Sequence, residues 1–156
     1  MKNFKTQTIN IESIYAKLKS HISNRSRHQV RQENLWKEIK RTHENKHSEM
    51  KKIDELIGNE THEINKLISI LCRYNKTHRA MNLASDFING EISRTIRIIN
   101  NWKRDIRDVE SGRCSFISST GEHTQDTSIP RKYVAKKEQK LAQLRNWKRH
   151  VDRYCV

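Results

Sequence analysis

Residues that interrupt helices are scarce in this chain, which has four glycines and one proline among its 156 residues. Apolar residues are scarce as well, because only 33% of the residues are hydrophobic while 32% are charged. Such a composition cannot fill a thick globular core. It is typical of long helices, which bury only a narrow stripe of their surface. The chain has room for one domain at most, and we expect it to be all-α.

The three cysteines, Cys72, Cys114 and Cys155, are far apart in the sequence and form no Cys-x-x-Cys pair. This suggests neither a disulfide framework nor a cysteine-rich zinc site, and it favours a reducing compartment. The N-terminus lacks the continuous apolar stretch of a signal peptide, and no apolar run is long enough to span a membrane. We therefore expect an intracellular protein, cytoplasmic or nuclear or part of a virion or other assembly, without integral membrane association.

Motifs for catalysis are also absent from the sequence. The glycines are isolated, so no glycine-rich phosphate loop exists, and no Ser or Cys lies in a recognisable nucleophile motif. The segment His43–His47 (HENKH) matches the HExxH pattern of zinc peptidases, but charged residues surround it, whereas the peptidase motif normally lies within an enzyme core. We expect no enzyme activity, no cofactor and no metal; His43 and His47 would bind only adventitious zinc.

Positive charge is what the chain has in excess. The formal net charge is +14, and it is concentrated at both ends. Residues 1–40 carry nine Lys or Arg against three acids and residues 111–156 carry ten against four, whereas residues 41–110 carry thirteen against eleven. This distribution favours an acidic partner: nucleic acid, an anionic membrane surface or an acidic protein. A merely solubilising surface would show similar charge runs.

One heptad register runs from Ile11 to Val109. Along it, 20 of the 29 a and d positions hold a large apolar residue. Only another helix can cover such a stripe, so the register predicts a long coiled-coil helix over about residues 10–110 that forms a homo-oligomer. Isoleucine at both a and d leaves the number and orientation of the strands open. The oligomerisation seam is assigned to Ile53, Ile57, Ile64, Leu67, Leu71, Ile88, Ile92, Ile99, Trp102 and Ile106.

Several positions disturb the regularity of this stripe. Gly58 and the pair Asn89-Gly90 are typical of helix ends and turns, yet the heptad phase continues across both, so we expect a continuous helix rather than a bundle. The segment Asn24–Asn34 is polar even at its a and d positions, and here we expect the helices to separate. His43 and His78 occupy a positions, where protonation would weaken the assembly at low pH.

The sequence divides into three parts. A coiled-coil rod with a basic N-terminal part covers residues 1–110, and residues 111–130, which contain two glycines, the proline and many Ser and Thr, form a linker or loop. A basic amphipathic helix is expected over residues 131–156, with nine Lys or Arg against two acids. Its candidate nucleic-acid-binding cations are Lys132, Lys136, Lys137, Lys140, Arg145, Lys148, Arg149 and Arg153.

The tetrapeptide Asn-Trp-Lys-Arg occurs twice, around Trp102 and Trp147. When the two copies are aligned, the flanking apolar residues coincide as well, so each tryptophan lies on the apolar stripe of its helix. We interpret the repeat as a helix-packing element rather than a base-stacking motif, and we assign helix packing to Trp147, Val151 and Tyr154.

Two functions fit these features best. The first is a non-catalytic, oligomeric coiled-coil protein that binds nucleic acid or another acidic macromolecule in a structural or genome-associated role, with oligomerisation multiplying weak phosphate contacts. The alternative is a protein-interaction rod, meaning a stalk, tether or escort in a larger assembly such as a secretion-type machine. A third is a peripheral protein that lays its basic helix on anionic lipid. The sequence does not distinguish DNA, RNA and acidic protein as partners.

Overall fold

The computed structural model describes residues 9–118 and 120–156. These residues form four helices and a hairpin of two short strands, and the predicted all-α class is confirmed. The first eight residues of the predicted basic N-terminal part, and Ser119 of the predicted linker, lie outside the described residues. The elements are α1 (Ile11–Thr42), α2 (His47–Leu71), α3 (Arg79–Glu110), β1 (Phe116–Ile117), β2 (His123–Thr124) and α4 (Ser128–Arg153).

The expected continuous helix over residues 10–110 is wrong. This stretch forms three helices, α1, α2 and α3, which are separated by residues 43–46 and 72–78. Gly58 lies inside α2 and Asn89-Gly90 lies inside α3, so neither suspected weak point interrupts a helix. The heptad phase of the sequence continues across both connections, although the helix does not.

Local polar contacts end α1 and start α2. His43 adopts the left-handed conformation (φ 55°) directly after α1, and its N–H donates to the carbonyl of Ile39. A left-handed residue at this position is a common way to end a helix. The Asn45 side chain then accepts the N–H of His47 at 3.1 Å, which satisfies an unpaired donor at the start of α2. The HENKH segment is therefore a turn between two helices.

His78 starts α3 in a comparable way. Its Nδ1 accepts the N–H of Ala80 at 2.9 Å, and its carbonyl accepts the N–H of Met81 at 3.0 Å. The side chain thus satisfies one of the donors that a helix N-terminus leaves unpaired. Glu12 of α1 supports this cap, since one of its carboxylate oxygens lies 2.7 Å from His78 Nε2 and the other accepts from Arg79 at 2.9 Å.

The chain forms two compact units, and the first comprises the described residues up to Phe87 together with His150–Val156. In this unit α1 packs antiparallel against α2. Asn10 caps the N-terminus of α1, and its side chain accepts the N–H of Ser13 at 3.1 Å. The fully buried side chains of the unit include Leu18, Ile64, Ile68, Leu71, Met81 and Val151.

Polar side chains bridge α1 and α2 around the segment Asn24–Asn34, so the expected separation of the helices is wrong. Arg25 is only 8% exposed, and its guanidinium also lies 5.1 Å from the ring centroid of Phe87. Buried polar groups are stable only when they have partners, and these side chains find theirs on the facing helix. The bridging pairs are His21–Glu60 at 2.5 Å, Arg25–Thr61 at 2.9 Å and Gln32–Asp54 at 2.5 Å.

The second unit comprises residues 88–149, and in it α3 packs against α4. Ile99, Ile106 and Val134 are buried in one apolar cluster, and half-buried apolar side chains of α3, β1 and α4 pack against it. The cluster joins the two helices because each contributes its apolar stripe to the same interior.

The β1–β2 hairpin lies within the predicted linker, residues 111–130. It pairs Phe116 with Thr124 and Ile117 with His123 in antiparallel register. Helix α4 begins three residues before the predicted start at Arg131, so Pro130 lies in its first turn. Proline is tolerated there because its missing N–H would have no partner within the helix.

Candidate functional site

The second unit carries a large excess of positive charge, with fourteen Lys or Arg against seven Asp or Glu in residues 88–149. Three of its carboxylates face the contact between α3 and α4, where each forms an ion pair with a cation of the other helix. These acids therefore neutralise cations at the helix contact. The pairs are Lys103–Glu138 at 2.9 Å, Lys140–Glu91 at 3.6 Å, and Arg131–Glu110.

Two carboxylates at the start of α4 are held in the charged form. Arg131 and the Thr127 hydroxyl donate to Glu110, and they lower the pKa of its carboxyl, with Arg131 contributing most. Asp126 accepts the N–H of Ser128 at 2.9 Å, and hydrogen bonds from Ser128 lower the pKa of this second carboxyl. Both carboxylates therefore contribute to the structure of the unit. Glu110 links α3 to α4 through Arg131, and Asp126 caps the N-terminus of α4.

Five cations of α4 within this unit have exposed side chains, and one of them, Arg131, is paired with Glu110. The other four are Lys132, Lys136, Arg145 and Arg149. We call them the α4 cation row. Members four residues apart lie on adjacent turns of the helix, about 6 Å apart along its axis. The pair Lys132 and Lys136 and the pair Arg145 and Arg149 are separated by about two and a half turns, so the two pairs lie on different sides of the helix. No ion pair joins Lys136 or Arg145 to another residue in the described parts of the chain. The outward surface of α4 therefore presents positive charge that the unit itself does not neutralise.

The other four predicted cations are placed differently. Lys137 Nζ lies 5.3 Å from the ring centroid of Tyr133, Lys140 forms the ion pair given above, and Lys148 is half-buried. Arg153 is exposed but belongs to the first unit. Half of the eight predicted cations therefore form the α4 cation row.

The residues of the predicted oligomerisation seam lie in the interior of a single chain. Because one copy already covers much of this stripe, self-association through it stays a prediction. In the first unit Ile53, Ile64, Leu67 and Leu71 are buried and Ile57 is half-buried; in the second, Ile88, Ile99 and Ile106 are buried while Ile92 and Trp102 are half-buried.

The residues assigned to helix packing also lie in the interiors of their units. Trp147 is half-buried in the second unit, as is Trp102 of the first copy of the repeat. Val151 is fully buried in the first unit and Tyr154 is half-buried there. Trp36, which the heptads place on the stripe, is 49% exposed instead.

The prediction from sequence missed a second group of cations, at the end of α3. Arg104, Arg107 and Arg113 line a shallow pocket of about 490 Å³ that also includes Asp108. Gly112, with φ 79°, allows the chain to turn back after α3, so that the N–H of Arg113 donates to the carbonyl of Asp108 at 2.9 Å. This turn places the third arginine beside the other two.

A sequence signal for this group exists in the spacing of Arg104 and Arg107, which share one helix face, and in the glycine after them. The near-balanced charge of residues 41–110 concealed it. Six of the eleven acids in that range lie within residues 44–63, far from these arginines in the sequence.

The HENKH segment does not have the geometry of a zinc-peptidase motif. His43 follows the end of α1 and His47 begins α2, so the two imidazoles do not lie one turn apart on a helix. Across residues 9–118 and 120–156, no three His, Cys, Asp or Glu side chains are placed to bind a metal ion. None of the helices in the described residues is both long and apolar enough to cross a bilayer.

Comparisons of the chain with protein-family models, curated proteins and solved structures found no match.

Proposed function

We propose that this protein is a non-catalytic, nucleic-acid-binding protein with a structural or genome-associated role. The α4 cation row is the observation that carries the proposal. Its four side chains are exposed, whereas the nearby carboxylates of Glu91, Glu110 and Glu138 are paired with other cations. A polyanion with closely spaced phosphates that crosses the helix can contact both pairs of cations, whereas a single acidic side chain cannot.

The composition of the row favours binding through the backbone of the nucleic acid. Lysine and arginine on long side chains reach phosphates at several positions, and each phosphate that they neutralise releases condensed counterions. Binding of this kind depends little on base sequence and steeply on salt concentration. We therefore expect binding to mixed-sequence nucleic acid rather than to a defined site.

A matched pair of variants tests this interpretation. The first replaces Lys132, Lys136, Arg145 and Arg149 with Gln. The control replaces four exposed lysines of the first unit with Gln, which changes the net charge equally: Lys51, Lys52, Lys66 and Lys76.

Affinity for mixed-sequence nucleic acid is measured as a function of salt for both variants. We expect the first variant to lower the slope of log K against log salt by about 0.9 for each phosphate that it no longer neutralises, while the control changes the slope little. Equal changes in both variants would show that only net charge matters. If the unmodified protein does not bind nucleic acid at physiological salt, the proposal is wrong.

Self-association belongs to the proposal, because linked copies multiply weak phosphate contacts.

A second candidate function, a protein-interaction element of a larger assembly, is favoured by three large apolar side chains that are exposed in the first unit. They are Val30 at 57%, Trp36 at 49% and Leu56 at 39% exposure.

Sedimentation velocity at several concentrations tests self-association and whether these three exposed residues mediate it. If the protein self-associates and a Val30→Ser, Trp36→Ser, Leu56→Ser variant does not, these exposed residues form the contact. If the variant associates equally well, the contact lies elsewhere. A protein that sediments as a monomer at all concentrations has no homo-oligomeric form.

The proposed location is a reducing compartment within the cell. All three cysteines are free, and Cys114 is exposed. An exposed free thiol persists most readily where glutathione keeps thiols reduced.

A further inference from the structure

An aromatic cluster lies beside the start of α4. Trp102 of α3 contacts Tyr133 of α4 at 5.2 Å between ring centroids, and Phe116 of β1 at 6.1 Å. Trp102 and Phe116 are half-buried and pack on the apolar cluster of the second unit. The position of Tyr133 is therefore supported by the interior of the unit.

Tyr133 is the exposed member of this cluster. It is 38% exposed, and Ile129, one turn earlier on α4, is 77% exposed. We call Trp102 and Tyr133 the aromatic patch. A large apolar surface that is held in place yet open to solvent is available to a partner.

Lysines adjoin the aromatic patch. Lys136 and Lys137 follow Tyr133 by three and four residues and so share its side of the helix. Lys137 Nζ lies 5.3 Å from the Tyr133 ring centroid, and Lys136 belongs to the α4 cation row. An aromatic ring next to mobile cations matches a nucleotide, because the base stacks on the ring while the phosphate pairs with lysine.

The charge around Tyr133 favours this ligand over an apolar protein segment. The residues three and four positions away on either side are Ile129, Pro130, Lys136 and Lys137, none of which is acidic. A partner that covers the ring must therefore lie close to positive charge, which a phosphate backbone complements and an apolar segment does not.

We propose that Tyr133 stacks against an unpaired base, so that the protein binds single-stranded RNA or DNA more tightly than duplex. This inference rests on the proposed function. In a duplex the bases stack on each other and phosphates are the groups most accessible to a basic helix, whereas a single strand exposes its bases. Lys137, which lies over the ring in the free protein, is displaced towards a phosphate when a base takes its place.

The test uses the full chain and two variants. Tyr133→Leu keeps an apolar contact with Trp102 but removes the stacking surface, and Tyr133→Phe keeps both. The probes are an oligouridine and an oligothymidine of about 12 nucleotides, within the usual site sizes of single-strand binders, a duplex of equal length and an abasic single strand. Affinities are measured by fluorescence anisotropy at one salt concentration, and circular dichroism melts check that each variant is folded.

We expect Tyr133→Leu to weaken binding to the single strands about 5- to 100-fold, because each stacked base contributes on that scale. Binding to the duplex and the abasic strand should not change, and Tyr133→Phe should match the unmodified protein. The two oligonucleotides distinguish RNA from DNA, and weaker binding to either supports the proposal.

Two outcomes overturn the inference while leaving the proposed function intact: equal weakening for all four probes, or no weakening for the single strands. A third outcome removes both. If the protein binds none of these probes but binds vesicles of phosphatidylserine, the aromatic patch and its lysines serve a membrane surface instead.

Discussion

His78 contacts three different parts of the first unit. Its Nδ1 accepts the N–H of Ala80, its Nε2 lies 2.7 Å from Glu12, and its backbone N–H donates to the carbonyl of Tyr154 at 3.1 Å. Because Nδ1 accepts a hydrogen bond, the neutral ring carries its proton on Nε2 and donates it to Glu12. The imidazole therefore joins the start of α3 to α1, and the backbone of the same residue joins it to the residue that follows α4.

Replacing His78 with alanine should remove both the helix cap and the bond to Glu12. We expect the free energy of unfolding to fall by about 1 kcal/mol, the usual cost of losing an N-cap. His78→Asn is the matched control, since asparagine caps helices well and should be less destabilising. Urea unfolding at pH 7 measures both variants, and equal decreases would show that the cap contributes nothing.

Two apolar residues of α2 should respond very differently to truncation. Ile64 is fully buried, whereas Leu56 is 39% exposed. We expect Ile64→Ala to lower the free energy of unfolding by about 2–5 kcal/mol because it leaves a cavity, and Leu56→Ala to lower it by about 0.5 kcal/mol or less. Chemical denaturation of both variants checks this, and similar decreases would contradict the packing of α2 described above.

At the scale of helices, the sequence predicts which residues form the apolar face of a helix but not which other helix covers that face. Periodicity identifies the apolar face of a helix, whereas its partner can be the same chain or another copy. The connections at residues 43–46 and 72–78 kept the heptad phase, so they left no mark on the pattern. The polar segment HENKH, with Asn45 as a capping residue, was the available signal for the first of them.

Helix α1 shows a second limit of the pattern. The heptad positions Leu18 and Arg25 are buried as expected, but near the end of the helix Leu35 is buried while Trp36, the heptad position, is 49% exposed. Both residues are large and apolar, so periodicity cannot decide which of the two is buried. Leu35 packs with Met50 and Ile53 of α2, and this contact becomes visible only in the folded chain.

The glycines inside helices test the corrected helix boundaries. Gly58 and Gly90 lie within α2 and α3, and an added methyl group at either would meet no atom within 4 Å. We expect Gly58→Ala and Gly90→Ala each to raise the free energy of unfolding by about 0.5–1 kcal/mol. Gly112→Ala is the contrasting variant, because φ at this position is 79° and alanine should destabilise it.

Thermal and urea unfolding measure all three glycine variants. A decrease in stability for Gly58→Ala or Gly90→Ala would mean that the residue does not have a regular helical conformation.

The candidate site was predictable to the same extent as the fold. Exposed cations follow from the amphipathic pattern of α4, so the α4 cation row could be anticipated. The ion pair of Lys140 with Glu91 could not, because it depends on how α3 and α4 align. The aromatic patch could not be predicted for the same reason, because Trp102 and Tyr133 come together only when these helices pack.

For the molecule as a whole, acid adds charge to a chain that is already strongly positive. Lowering the pH neutralises eighteen carboxylates and charges eight histidines. Four of the carboxyls also have a pKa below its ordinary value because they accept hydrogen bonds in the folded state. These are Glu12 from His78 and Arg79, Glu38 from Lys46, Glu110 from Arg131 and Thr127, and Asp126 from Ser128.

A carboxyl whose pKa is lowered by folding stabilises the fold above its ordinary pKa, and this contribution is lost as the pH falls through the lowered value. We therefore expect the free energy of unfolding to decrease as the pH drops below 4.5, the ordinary value for glutamate. Urea midpoints between pH 7 and pH 3 measure the decrease. A Glu12→Gln, Glu38→Gln, Glu110→Gln variant should be less stable at pH 7 and less sensitive to acid, and a parallel pH profile would contradict the assignment.

The polar pairs between α1 and α2 have a consequence for domain swapping, in which two molecules exchange α1. They specify one alignment of the two helices, and only residues 43–46 connect them. If α1 of one molecule left its own α2 and paired with α2 of another, every one of these hydrogen bonds would form again between the chains. The heptad phase across the connection would even allow it to straighten into helix. A preparation that was concentrated or partly unfolded during purification would then contain domain-swapped dimers. These dimers would have the same contacts between α1 and α2 as the monomer, and they would differ from it in free energy mainly by the cost of opening the short turn at residues 43–46.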